Sequence, residues 1–541
     1  MKFHPVFKAI GALLSMLFMA GVTKAGVISG SGSAPSSTQL GATDAVPLKV
    51  TEGETGHALL VPYFTAQEGQ MTVLHLVNTD LENGKVVKVR FRGANNGDSL
   101  LSVHVLLSPG DMWTAAVTAG ADGTAQLTTG DRTCTRPQLV QNVPQSFSMD
   151  RLDPAWPADI KSNNTREGAI EAIVMADVPQ AAVYGAEGAS NSALFTAIKQ
   201  VAGTSPCTLP DSLYYRAIDA ALLPDTSSEA TAASRGLATP TGRVAATWYI
   251  IDVPGSTTFI GAATAIQAVN SAGLSARGNY MLFPPTDADV AQPERYTADP
   301  LLVSAGLAFR GKDAQGNTSH PTAAAVLAAR FNDLPDLSTP VYLPATAENA
   351  RKTAGDISRL LAVRQLRNQY ANDRSISART DWVMAMPTKR YSVAKDYSQV
   401  EKTNQRVFSV VPASGVGGQY FHSANTEVGQ SVCGLSRTWG IRFLDRDSQT
   451  SFRPSPPVWE QYEACGGVSV LSFDNQGSAL SSSLNRRKTS GYVNGWASVL
   501  IPDAEGLPII GASFIKLNNP NASSGVAGNY GLSYPYIKMP Q

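Results

Sequence analysis

ALLVPYFTAQEGQMTVLHLVN, residues 58–78, is the stretch that decides the fold. Residues 58–64 are nearly all large and apolar, which is typical of a buried strand, and Pro62 among them indicates a sheet edge or a bulge. Residues 72–78 form a second run of mostly large side chains. We therefore predict two short β-strands in this stretch.

Turn residues and further strand patterns follow directly. Asn83-Gly84 is a strong turn signal, and after it residues 87–92 alternate apolar with basic side chains. Another turn at Asn95-Asn96-Gly97 precedes residues 101–107, where alternate positions are apolar. Short strands at this spacing, with turn residues between them, predict an Ig-like β-sandwich over residues 47–125.

The rest of the chain predicts more strands with a few helices inserted. Residues 126–340 form a mixed, β-rich region with strand patterns at 169–176 and 244–253, a strand or short helix at 257–269, and helical composition at 190–201 and 322–331. Residues 396–541 predict a C-terminal β-rich domain with strands at 407–411, 440–444, 468–473, 496–501 and 509–514. The predicted fold class is mainly β: β-sandwich (Ig-like) domains with inserted helices.

One helix is predicted near residues 346–370, within a helical basic segment at 341–395. Apolar residues recur there at helical spacing, with Thr346 as a candidate N-cap, although Gly355 leaves a start at Asp356 open. Residues 351–390 carry nine basic and three acidic side chains, an excess of six. This excess fits either a solvated helix face or contact with an anionic surface, for which the candidates are Arg359, Arg364 and Arg367.

The N-terminus predicts export. Residues 1–25 combine Lys2 and Lys8 with the apolar run 9–22 and with Thr23-Lys24-Ala25, the layout of a cleavable secretory signal peptide. Residues 26–46, mostly small and polar, predict a flexible N-terminal arm. We expect a secreted, cell-surface protein, and no apolar span long enough to cross a membrane follows the predicted cleavage point.

Composition limits the classes of partner. Removing 25 of 541 residues leaves 516, enough for roughly two to four domains. Only 16% of residues are charged, and the 43 basic and 43 acidic side chains cancel. A chain without net charge has little self-repulsion, which favours association, and without a basic excess it is a poor nucleic-acid binder.

Four cysteines remain after the predicted cleavage. An even number in an exported chain predicts two disulfides, and three pairings are possible. We favour the sequential pairing, Cys134–Cys207 and Cys433–Cys465, over a metal site, because the chain contains no Cys-x-x-Cys and has no histidine near any cysteine.

No catalytic motif stands out, so we assign no catalytic residue and no cofactor, and expect a protein that is not an enzyme. His75 and His104 lie on neighbouring strand patterns and could approach each other, but a third metal ligand is missing. The pairs Asp287/Asp289 and Asp445/Asp447 could bind Ca²⁺ in loops or be solvated turn residues.

Several motifs resemble a family of exported bacterial proteins usually described only as cell-surface proteins. They are HALLVPYFTAQEGQMTVLHLVNTD (57–80), KVRFRG (88–93), LLSPGDMWTAAV (106–117), TDWVMAMPTKRY (380–391), NGWASV (494–499) and LPIIGASF (507–514). The resemblance implies secretion and surface association, and it carries over no catalytic residue.

These observations favour a structural cell-surface protein that self-assembles into a surface layer or sheath. The alternative is a secreted glycan-binding module or adhesin, in which exposed aromatic side chains stack on sugars and cell-envelope glycans or lipopolysaccharide are the partners. A hydrolase with an unrecognised site is the third hypothesis.

Overall fold

The structure is a computed structural model of the 541-residue chain. It describes residues 27–150, 152–153, 155–180, 192–208, 214–223, 228–283, 347–395, 406–409, 420–422, 425–434, 439–447, 460–473, 477–488, 492–501 and 506–539. The predicted signal peptide, the predicted helix at 322–331 and the pair Asp287/Asp289 lie outside these residues.

Strands dominate, as predicted. In the first half they are β1 Val27–Ile28, β2 Leu48–Glu52, β3 Ala58–Thr65, β4 Gln70–Asn78, β5 Gly84–Gly93, β6 Ser99–Leu107, β7 Met112–Ala119, β8 Ala125–Thr128, β9 Cys134–Arg136, β10 Gln145–Ser146, β11 Glu167–Val178, β12 Val244–Asp252, β13 Thr257–Ala262, β14 Thr264–Ala268 and β15 Tyr280–Met281.

In the second half the strands are β16 Ala362–Val363, β17 Gln365–Ala371, β18 Arg379–Ala385, β19 Val393–Lys395, β20 Arg406–Ser409, β21 Thr426–Val428, β22 Val432–Gly434, β23 Trp439–Asp445, β24 Glu460–Tyr462, β25 Val468–Ser472, β26 Asn485–Arg487, β27 Asn494–Leu500, β28 Leu507–Pro508, β29 Ile510–Ser523, β30 Val526–Pro535 and β31 Ile537–Met539. The helices are α1 Ala158–Asn164, α2 Ala193–Ile198, α3 Tyr214–Ala221, α4 Glu229–Ser234 and α5 Ala347–Leu361.

The first half forms one sandwich-like unit. A seven-stranded sheet has the order β2-β14-β3-β11-β5-β6-β9, and a six-stranded sheet has the order β10-β8-β7-β4-β12-β13. Their apolar residues share one core, which contains Trp113 and Trp248. The predicted boundary at residue 125 is wrong, because β11, β12 and β14 from the predicted mixed region complete these two sheets.

The second half forms another sandwich-like unit from two five-stranded sheets, β24-β23-β27-β17-β31 and β26-β25-β18-β29-β30. Between them lies a core rich in aromatic side chains, in which Trp382, Tyr370 and Phe443 contact Phe473. The predicted boundary at residue 395 is therefore also wrong, because β17 and β18 belong to these sheets.

Helix α5 confirms the helix prediction up to Leu361, but its extension to residue 370 is wrong. Residues 365–371 form strand β17 between β27 and β31, with Leu366 and Tyr370 buried in the core. Tertiary pairing with two neighbouring strands thus outweighs a pattern that was also compatible with a helix.

The predicted flexible arm is packed against the first unit. Strand β1 pairs with β15, and the side chains of Leu40 and Ala45 are fully buried. The carboxylate of Glu229 accepts hydrogen bonds from the backbone N–H groups of Ser31 and Leu40. Small polar residues here supply backbone contacts rather than mobility, so this prediction is wrong.

Strand β5 is buried on both faces, although its alternating pattern is typical of a strand with one polar face. Lys88, Arg90 and Arg92 are each at most 4% exposed. The second unit contributes to this burial: Arg390 and the loop around Gly466 pack against this part of the sheet. The two units therefore meet over a face rich in charged side chains.

Candidate functional site

The predicted disulfide pairing is confirmed: Cys134 is bonded to Cys207, and Cys433 to Cys465. Cys134 and Cys207 are fully buried and tie strand β9 to the turn after α2, whereas Cys433 and Cys465 are half-buried. The Sγ atoms of Cys433 and Cys465 lie near the carboxylate of Glu463. Because the two sulfurs are bonded to each other, they are not thiolate ligands for a metal.

The three predicted anion-contacting arginines lie on different elements. Arg359 is on α5, is 61% exposed and pairs with Asp356 at 2.7 Å. Arg364 is exposed between β16 and β17, whereas Arg367 is half-buried on β17. Arg359 is therefore largely neutralised by its own helix, and Arg367 is the member that belongs to a larger arrangement of side chains.

That arrangement is the outer face of the sheet β24-β23-β27-β17-β31. Strand β27 lies between β17 and β23, and Ser498 is in register with Arg367 on one side and Arg442 on the other. In the next row, Trp496 pairs with Gln369 and Leu444. We call this set the arginine face: Arg367, Gln369, Arg442, Trp496 and Ser498.

Strand alternation explains why these side chains point away from the core. Ala497 and Val499 on β27, and the alternate residues of β17 and β23, lie in the apolar core of the second unit. Successive side chains of a strand point to opposite faces, so the residues between them face outward. Trp496 is 36% exposed, and the guanidinium of Arg367 lies 5.9 Å from the centre of its ring.

The arginines of this face lack ionic partners in the part of the chain that the structure describes. Arg367 donates a hydrogen bond of 2.9 Å to the amide oxygen of Gln365, and no described carboxylate lies within ion-pairing distance of Arg367 or Arg442. The Nε atoms of both arginines are buried without a hydrogen-bond partner. Two cations beside an aromatic ring can bind an anion that also offers a face for stacking.

A small cavity lies where the two units meet. It measures about 40 Å³, and Arg92, Glu171, Lys389, Arg390 and Gly466 are among the residues that line it. That volume holds about three water molecules, so it is too small for a sugar ring. We call it the junction cavity.

The charges in the junction cavity centre on Glu171. Its carboxylate lies 3.1 Å from Arg92, 3.6 Å from Arg90 and 3.9 Å from Arg390. Burial alone would raise the pKa of Glu171, but these three guanidinium groups outweigh it and lower the pKa to about 2. Glu171 is therefore an ionised anchor between the units over the whole neutral range.

Lys389 lines the same cavity and has a different environment. Its Nζ atom donates hydrogen bonds to the backbone carbonyl oxygens of Val432 and Gly466. Burial lowers the pKa of Lys389 to about 7.

The second candidate feature is an exposed sheet edge. Strand β30 is the outermost strand of its sheet and pairs only with β29 among the described strands. Val526 is 55% exposed and Tyr530 52% exposed. Near Gly531 the strand lies against Thr258 of β13, so residues 526–530 form the open part of the edge.

The remaining sequence candidates are not assembled into sites. His75 and His104 lie on β4 and β6, in different sheets, and His75 instead bonds to Thr114 and Tyr249, so the suggested approach of the two histidines is wrong. The carboxylate of Asp445 accepts a hydrogen bond from the backbone N–H of Asp447, and no third metal ligand joins them among the described residues.

Sequence reasoning identified Arg367 through the basic segment but missed Arg442 and Trp496. The alternation of residues 494–500, with polar or aromatic side chains between small and apolar ones, is the signal that could have placed Trp496 on an open face. Pairing of β23 with β27 is not readable from the chain, so Arg442 had no such signal.

No helix among the described residues has the length and apolar character needed to cross a membrane. Comparison with protein-family models finds no match, and comparisons with curated proteins and with solved structures find none either.

Proposed function

We propose that this chain is a secreted structural protein of the cell surface whose copies associate edge to edge through strand β30. The observation that carries the proposal is the open edge itself. The open part of the strand, residues 526–530, contains no charged residue and no proline. Natural sheets usually protect their edges with short strands, charges or proline.

The other edge strands of the two units are mostly shorter than β30 or carry charges. Among the described strands, β9, β10, β24, β26 and β31 have two or three residues, β2 has five and carries Lys49 and Glu52, and β13 has six. Most edges are thus too short to template another strand. The open part of β30, residues 526–530, is exposed and uncharged, and so is suited to pair with a second copy.

Charge and symmetry fit a second copy as the partner. The whole chain has 43 basic and 43 acidic residues, so two copies approach without net repulsion. Antiparallel pairing of β30 with β30 is self-complementary and produces a two-fold dimer. A layer or sheath requires a second contact in addition to this one.

Sedimentation velocity across a concentration series tests the proposal. We expect the chain from Gly26 onward to dimerise, and Val526→Lys with Tyr530→Lys to hold it monomeric, because lysines on an edge strand repel a second edge. Leu81→Lys is the matched control, since Leu81 is 81% exposed and lies in the loop between β4 and β5, distant in sequence from β30. A monomeric wild type, or an edge variant that associates like the control, would contradict the proposal.

A further inference from the structure

We propose that the arginine face is a binding site for an anionic saccharide, specifically a polysaccharide that carries carboxylate groups. This site is independent of the self-association proposed for β30, because it lies on the other sheet of the second unit. The inference rests on three features of the face: its charge, its spacing and its aromatic side chain.

Charge selects an anion. Arg367 and Arg442 stand on either side of Ser498, and no described carboxylate neutralises either guanidinium. Guanidinium groups present a planar set of N–H donors that matches the two oxygens of a carboxylate. The hydroxyl of Ser498 lies between them but is buried, so the two arginines are the groups that meet a ligand.

The spacing between the strands that carry the two arginines favours a polymeric ligand over a small ion. Arg367 and Arg442 are separated by one intervening strand, which places their Cα atoms about 10 Å apart. Arginine side chains on strands this far apart can each hold a carboxylate of their own. Two acidic units along one saccharide chain can be bound at once, each by one arginine.

The aromatic side chain selects a sugar. Trp496 lies in the row beside the arginines, with part of its indole ring exposed and Gln369 opposite it on β17. The apolar face of a pyranose ring packs on an indole ring, and the amide of Gln369 offers both a donor and an acceptor to sugar hydroxyls. A simple polyanion such as a nucleic-acid backbone would use the arginines but would not need this pair.

The face is also built to hold these groups in place. Arg367 is held by its hydrogen bond to Gln365, and its guanidinium lies against the ring of Trp496. The three central strands pair over their full shared length, so the five side chains are mounted on a rigid sheet. Prior ordering of the side chains reduces the entropy lost on binding.

Binding to polygalacturonate, with neutral dextran as the comparison polymer, tests the inference. We expect the wild type to bind polygalacturonate and not dextran. Arg442→Gln and Arg367→Gln should each weaken binding about tenfold, because each removes a charged hydrogen-bonding group. Trp496→Ala should weaken binding comparably while leaving its salt dependence unchanged, since the indole carries no charge.

Arg487→Gln is the matched control, because Arg487 is an exposed arginine on β26 in the opposite sheet. It should bind within twofold of the wild type. Circular dichroism and the thermal midpoint establish that each variant is folded. Equal loss in Arg487→Gln, equal binding of dextran, or unchanged binding by the double variant Arg367→Gln/Arg442→Gln would overturn the inference.

Polyphosphate, a polyanion without sugar rings, separates carbohydrate recognition from charge alone. If Trp496→Ala binds polyphosphate like the wild type but loses polygalacturonate, the indole recognises the acidic sugar, as proposed. If polyphosphate binds as tightly as polygalacturonate, and Trp496→Ala weakens the binding of neither polymer, the face is a general polyanion site and the saccharide assignment is wrong.

Discussion

The Nζ atom of Lys389 donates a hydrogen bond of 3.1 Å to the backbone carbonyl oxygen of Gly466, the residue that follows Cys465. Its other hydrogen bond goes to the carbonyl of Val432, the residue that precedes Cys433. The disulfide thus joins the two segments whose carbonyls hold the lysine. Both acceptors are uncharged, so the amine is satisfied in its neutral form.

Lys389 should make the free energy of unfolding depend on pH between about 7 and 10.5. Its pKa falls from 10.5 to about 7 on folding because of burial, so between these values the unfolded chain binds more protons and stability rises with pH. Lys389→Met removes this dependence. The free energy of unfolding of the wild type should rise relative to that of the variant by up to about 1.4 kcal/mol per pH unit over this window.

Denaturant unfolding of both proteins at intervals from pH 7 to pH 10 measures the effect. Lys49→Met, on the exposed edge of β2, serves as the control and should run parallel to the wild type. Parallel curves for Lys389→Met as well would mean that the lysine is charged in the folded protein.

Glu171 should produce a dependence of the same sign in acid, because its pKa is also lowered on folding. Its pKa is about 4.5 in the unfolded chain and about 2 when folded, so its contribution is complete above pH 4.5 and is lost as the pH falls through 2. Glu171→Gln should cost about 3 kcal/mol at neutral pH, because it removes the anion from among buried cations. The difference from the wild type should shrink steadily below pH 4.5.

Unfolding free energies at pH 7, 5, 4 and 3 test this, with Glu460→Gln on the exposed strand β24 as the control. A penalty for Glu171→Gln that stays constant over that range would show that shape, and not charge, is what the carboxylate contributes.

Local patterns in the chain predict its strands better than its domains. Strands β3, β4, β11, β12, β25 and β27 all fall on predicted segments, because each has an apolar run or alternation of its own. Domain boundaries depend on which strands pair, and β12 lies beside β4 although more than 160 residues separate them in sequence. Nothing local encodes that choice.

Part of the candidate site is likewise predictable from local sequence, and part depends on strand pairing. Arg367 could be singled out from local charge, and the two disulfides from the cysteine count. The arginine face depends on Arg367, Ser498 and Arg442 being in register across three strands. The burial of Lys88 and Arg90 depends on packing that the alternation of β5 does not reveal, since an alternating strand looks the same whether one face or both are covered.

The two disulfides should differ in accessibility. Graded reduction followed by thiol alkylation should modify Cys433 and Cys465 before Cys134 and Cys207, because only the first pair is partly exposed. Replacing Cys134 and Cys207 by alanine should cost about 4 kcal/mol in the chain-entropy description, since that bond closes a loop of 73 residues. Mass spectrometry of the alkylated peptides gives the order, and simultaneous modification of all four would contradict it.

Gly168 should tolerate no side chain. It lies on β11 where the register with β3 shifts, between β3 and β5, and an added Cβ would collide with the backbone carbonyl of Arg92 and approach the ring of Phe64. A backbone atom in the middle of a sheet cannot move aside as a flexible side chain can. Gly168→Ala should therefore cost about 1–3 kcal/mol, the usual range for overpacking.

Gly429→Ala is the matched control, because a Cβ there would meet only the carbonyl oxygen of Ser431, at 3.8 Å. Its unfolding free energy should stay within about 0.5 kcal/mol of the wild type, as for an ordinary surface substitution. Equal stability of the two variants would mean that β11 can shift away from β5. In that case the contacts of Glu171 with Arg90 and Arg92, which depend on the same register, would also be adjustable, and the charge effect expected for Glu171→Gln would be smaller than argued above.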